Sequence, residues 1–126
     1  MRASYKKYPE MLVNQLLDQL SDIARQSRAG WVKTRRVRYH QVKPFIHFLG
    51  SRFRLKDIRD IQPMHVQAYI KYRLENEKVS DKTVFTDIST IRFWHRQIPM
   101  RRYLIPINKL LLGELLLNGQ EFRQKW

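Results

Sequence analysis

The sequence predicts an all-α protein, a compact bundle of four to five short helices. Apolar residues recur at intervals of three and four in every segment, the spacing of a buried helical face. Alternation of the strand type is weak throughout. Four glycines and five prolines punctuate 126 residues, so few points interrupt these periods. The length fits one domain. Residues 1–98 are expected to form it, followed by a basic connector and a short leucine-rich helix over 99–126, a linker or an interface.

The first helix is expected from Pro9 to about Gln26. Proline suits a first helical turn, where its missing N–H has no intrahelical partner. Leu12, Leu16, Leu20 and Ile23 make one face, widened by Val13, Leu17 and Ala24. Arg28-Ala29-Gly30 reads as the end, with Gly30 available as a left-handed cap. The second helix is expected to start at Thr34 as N-cap and end at Gly50. Tyr39, Val42, Phe45, Ile46 and Leu49 form its buried stripe, with Lys33, Arg36, Val37, His40 and Gln41 opposite. Pro44 removes a backbone donor in its middle and should kink or split it.

A connector over 51–62 is pinned to the core by Leu55, Ile58 and Ile61. Pro63 opens a third helix to about Glu77 that buries Val66, Tyr69, Ile70 and Leu74. Ser80 caps a fourth, about Asp81 to Gln97, with Asp81 placed to suit the helix dipole. Val84, Ile88, Ile91 and His95 share one side of it; Lys82, Thr86, Ser89 and Phe93 share the other. Pro99 ends that region. From Ile107 to Leu117 leucines cover nearly every side of a short helix. The expectation there is contact with a second molecule or a further domain, the alternative a fifth helix closing the bundle.

Charge carries the functional reading. The net charge is +14, with pI near 10.6. Between Arg25 and Lys56 stand ten Lys or Arg and no Asp or Glu. Apolar residues thread this stretch at helical spacing, so it is a folded helix that buries one side and shows cations on the rest. Such a surface suits a polyanion, of which nucleic acid is the commonest. A ribosome-associated protein and a protein at an acidic membrane fit the same charge. No apolar run is long enough to cross a bilayer, and no h-region follows the N-terminal charges.

Other chemistry finds little support. Cysteine is absent, which excludes a disulfide scaffold, a cysteine nucleophile and a thiolate zinc site and agrees with a reducing cytoplasm. His40, His47, His65 and His95 have no partner at i+3 or i+4, so no metal is expected. His95, on an apolar face, reads as a satisfied core or boundary residue. There is no glycine-rich phosphate loop and no Gly-x-Ser-x-Gly turn. Asp57 and Asp60 more simply balance Arg54 and Arg59 than form a catalytic pair. No cofactor is implied.

Without strands, an aromatic sheet that stacks bases is excluded, and helices laid against a duplex remain. Candidate contacts are Lys33, Thr34, Arg35, Arg36, His40 and Gln41 on the second helix. On the fourth they are Lys82, Thr83, Thr86, Ser89 and Arg92. Arg and Lys neutralise phosphate, while Gln, Thr and Ser can read base edges. Both sets could instead be solvated polar faces, the fourth helix especially, since Lys82 is its only cation before Arg92.

The order of these pieces resembles the N-terminal core-binding domain of tyrosine recombinases, the SAM-like domain of the phage integrase family. Thr34 and Tyr39 precede an apolar Phe45-Ile46-His47-Phe48-Leu49 ending. Leu55-Lys56-Asp57-Ile58 leads into His65-Val66-Gln67-Ala68-Tyr69-Ile70-Lys71-Tyr72-Arg73. Val79-Ser80-Asp81-Lys82-Thr83-Val84 then opens a helix that closes on Ile88-Ser89-Thr90-Ile91-Arg92-Phe93-Trp94. The resemblance covers about residues 31–98 and stops matching at Pro99. It implies a helical bundle that clamps one face of double-stranded DNA while a C-terminal catalytic domain clamps the other, with a homo-oligomer on DNA and a cytoplasmic location at the nucleoid. That catalytic domain carries an Arg, Lys, His-x-x-Arg and Tyr set. Here the histidines are followed three residues on by Lys43, Gly50, Ala68 and Ile98, so this chain is expected not to be an enzyme by itself. A standalone helical DNA-binding regulator, a basic RNA- or ribosome-associated domain and a protein-interaction domain are the alternatives.

Overall fold

Among the described residues up to 106, four α-helices run in chain order: α1 Arg2–Gln26, α2 Val32–Phe48, α3 Pro63–Asn76 and α4 Asp81–His95. The computed structural model describes residues 2–26, 32–106 and Leu111, with side chains in the first two helices from Glu10 and from Arg36 onward. Among the described residues there is no strand. Gly30, the expected cap of α1, lies outside them.

Each helix buries the face its apolar period marks. Leu12, Val13, Leu16 and Leu20 come from α1, and Val42, Phe45, Ile46 and Phe48 from α2. Val66, Tyr69 and Ile70 come from α3, and Val84, Phe85, Ile88, Ile91 and Trp94 from α4. The connector contributes Ile58 and Ile61, both buried, with Leu55 packed at the edge. Tyr39 and Trp94 meet edge to face at 6.1 Å and join α2 to α4. Phe45 and Phe48 meet Tyr69 at 5.2 and 5.3 Å and join α2 to α3.

Several expectations change. Helix α1 begins at Arg2, not Pro9; Ala3, Lys6 and Lys7 favour helix strongly enough to continue it past the one lost donor. Helix α2 is not split at Pro44 but runs to Phe48, where a π-helical turn, Leu49–Phe53, takes over. Gly50, the expected end of α2, lies inside this turn and does not take the left-handed conformation. Arg54 does so, with φ 51° and its N–H bonded to the Leu49 carbonyl. Gly50 serves instead for close approach: a Cβ there would stand 2.5 Å from Val13 Cγ2 and 3.0 Å from its backbone nitrogen. Helix α4 ends at His95 rather than Gln97.

Helix α2 begins at Val32, so Thr34 lies inside its first turn and is not the expected N-cap. The starts of α3 and α4 follow the sequence closely. Pro63 opens α3, and the Gln62 N–H donates to His65 Nδ1 at 2.9 Å. Ser80 caps α4, accepting from the Thr83 N–H at 3.2 Å. Arg73 donates to Asp87 at 2.9 Å and ties α3 to α4, with both side chains largely buried. Asp57 pairs with Arg59 at 2.7 Å, which holds its carboxyl below the ordinary carboxylate range. Asp60 pairs with Arg102 at 2.6 Å and adds to the field at Arg59.

His95 is buried as expected, but it is not satisfied. Its Nε2, like Trp94 Nε1, has no hydrogen-bond partner among the described residues. Burial pushes its pKa down to about 4, so the ring is neutral at pH 7. Leu111 is fully buried in the common core, and its carbonyl accepts from Gln67 Nε2 at 2.7 Å. At this residue the outward-facing interface expected of the leucine-rich segment gives way to the alternative, packing on the chain's own bundle. The rest of 107–117 lies outside the described residues.

Candidate nucleic-acid interface

Packing of α2 on α4 leaves a strip of each helix beside the contact. On α4 that strip is Lys82, Thr86, Ser89 and Phe93, continued by Arg96, at steps of four and three residues. On α2 it is Arg38 and Gln41, one turn apart. Together with Phe85 and Thr90 these residues line an open groove of about 500 Å³. Its lining holds three cations and no carboxylate, so its field attracts anions.

The groove is internally organised. The Arg38 guanidinium lies 4.2 Å from the centre of the Phe93 ring, a cation–π contact that fixes a long side chain over the groove. Thr90, itself buried, donates its hydroxyl to Gln41 Oε1 at 3.2 Å. Thr86 donates back to the Lys82 carbonyl at 3.0 Å. Ser89 and Lys82 are exposed.

The structure thus brings Gln41, Lys82, Thr86 and Ser89 of the sequence-derived candidates to one place. Arg36 and His40 are exposed on α2 outside the groove lining. Lys33, Thr34 and Arg35 belong to the first turn of α2, and their side chains lie outside the described residues. Thr83 is turned to the cap: its hydroxyl lies 3.1 Å from Ser80 Oγ. Arg92 points to the connector, where its guanidinium donates to the Pro106 carbonyl. Burial, with Arg96 nearby, lowers its pKa from the usual arginine value.

Arg38, Phe85, Thr90, Phe93 and Arg96 were not among the candidates. Spacing could have found two of them. Arg38 lies three residues before Gln41, and Arg96 continues the 82-86-89-93 strip by one more turn. Thr90 had no such signal, since only the approach of α2 reveals its partner.

A second groove, of about 400 Å³, lies between the end of α2 and α3. Arg52 sits 5.2 Å from the Phe48 ring centre and 5.8 Å from that of Tyr72. Glu77 also lines this groove, so its cation is offset, and it suits a polyanion less well. Among the described residues no three His, Asp or Glu are placed to hold a metal ion. No helix among them is long and apolar enough to cross a membrane.

No curated protein and no solved structure matches the chain. The family model for the phage integrase N-terminal domain matches residues 13–101. That span takes in most of α1, all of α2 to α4 and the groove between α2 and α4, and the chain belongs to the phage integrase N-terminal domain family.

Proposed function

We propose that this chain is the DNA-binding domain of a site-specific recombinase and that it clamps duplex DNA through the groove between α2 and α4. The observation that carries the reading is the groove lining: Arg38, Lys82 and Arg96 without a carboxylate, beside the hydrogen-bonding side chains of Gln41, Thr86 and Ser89. Cations of this kind position a phosphate backbone, while amide and hydroxyl groups can reach base edges. The family supports DNA as the polyanion.

In this reading the domain binds and orients DNA, and strand cleavage belongs to residues outside the groove. The chain has no His-x-x-Arg, so the chemistry expected of a tyrosine recombinase is supplied by a separate catalytic domain. A homo-oligomer assembled on DNA completes the proposal. Competition binding tests it: labelled duplex DNA bound by the chain should resist displacement by structured RNA and yield to unlabelled duplex. Preferential displacement by RNA would replace this reading with that of an RNA-associated domain.

A further inference from the structure

We infer that Thr90 is a positioning residue that turns Gln41 into a hydrogen-bond donor, so that the groove reads a guanine. The inference rests on the reading of the groove as a DNA interface.

A glutamine amide offers an oxygen acceptor and an NH2 with two donors. Free to turn, it can pair with adenine, accepting from N6 and donating to N7. In the structure Gln41 takes one orientation. Its Oε1 accepts the Thr90 hydroxyl at 3.2 Å, and Thr90 is 5% exposed, packed in the wall of the bundle. The oxygen therefore faces the protein. The NH2 is left for the groove, beside the cation of Arg38 held on Phe93.

The Gln41 NH2 and the Arg38 guanidinium then offer donors to the groove. Of the four bases, guanine shows two adjacent acceptors in the major groove, N7 and O6. Adenine puts a donor where guanine has O6, and cytosine shows a donor at N4. A donor facing a donor leaves both unpaired on desolvation, which disfavours those bases. The Thr90 hydroxyl decides the preference without touching DNA.

The test uses the full chain. Selection from a randomised duplex library yields a bound sequence. Fluorescence anisotropy then measures that duplex and its single-base variants against wild type, Gln41→Ala, Thr90→Val and Thr90→Ser. Valine keeps the shape of threonine and removes the hydroxyl; serine keeps the hydroxyl. Wild type should lose about tenfold in affinity when one guanine becomes adenine. Gln41→Ala should abolish that difference. Thr90→Val should erode it, and Thr90→Ser should retain it. The inference is overturned if Gln41→Ala weakens all duplexes equally, as a phosphate contact would. It is also overturned if the preference that Gln41→Ala removes is for adenine, or if Thr90→Val leaves the guanine preference intact. Absence of duplex binding by wild type is a different result, and it overturns the DNA reading itself.

Discussion

The Arg38 guanidinium rests 4.2 Å from the centre of the Phe93 ring, and this contact couples the two helices that frame the groove. Held there, the cation loses less side-chain freedom when it meets a phosphate than a mobile arginine would. Arg38→Ala should weaken binding to all duplexes similarly and reduce the salt slope by about one. Phe93→Leu keeps the charge and removes a contact worth about 0.5–1 kcal/mol. It should lower affinity less and leave the slope unchanged. Anisotropy titrations of both variants at several salt concentrations check this.

Gly50 is placed where a side chain cannot go. A β-carbon would stand 2.5 Å from a methyl of Val13, a stiff β-branched residue, and 3.0 Å from its backbone. Gly50→Ala should destabilise the fold by about 1–3 kcal/mol, read from urea unfolding. An unchanged midpoint would show that the π-helical turn can move away from α1.

The Arg73–Asp87 pair at 2.9 Å links α3 to α4 in a largely buried setting. Removing the arginine alone leaves a carboxyl that burial already pushes above its usual pKa. Arg73→Met should cost about 3–5 kcal/mol. Converting both residues to apolar ones should cost less than that single change. A double-mutant cycle by chemical denaturation separates the two cases.

Acid should weaken the fold through its histidines. His95 has its pKa lowered from 6.5 to about 4, mainly by burial and further by Arg101. Burial also lowers that of His65, and its Nδ1 accepts the Gln62 N–H only while unprotonated. Between about pH 6.5 and 4 the unfolded chain binds more protons at His95 than the folded one, so stability rises with pH there. Its contribution is complete above the unfolded pKa and lost as pH falls through the folded one. His95→Phe should flatten the stability profile across that window relative to wild type. An unchanged profile would mean that the ring takes up its proton as readily in the folded protein as in the unfolded chain.

The sequence made the helices legible because each has one apolar face, and α3 and α4 also have clear starts. Ser80 and Pro63 mark helix starts from a few neighbouring residues, and Val84, Ile88 and Ile91 mark a buried face from spacing alone. Four of the nine groove residues were legible for the same reason: Gln41, Lys82, Thr86 and Ser89 fall on the polar side of their own helices. What spacing does not carry is the pairing between helices. Arg38 on Phe93, Thr90 on Gln41 and Arg92 on Pro106 each depend on a neighbour far along the chain. Gly50 misled for a related reason. The expected end of α2 at Gly50 took glycine as a helix stop, whereas the packing of Val13 on the turn requires it here.

The central claim is that the groove between α2 and α4 binds the phosphate backbone of duplex DNA. The salt dependence of duplex affinity for wild type and for the triple variant Arg38→Ala, Lys82→Ala, Arg96→Ala tests it most directly. With about five phosphates neutralised, log affinity of wild type should fall against log salt with a slope of roughly −4 to −5. The triple variant should be shallower by about three. A wild-type affinity insensitive to salt, or a triple variant with the wild-type slope, would contradict the account.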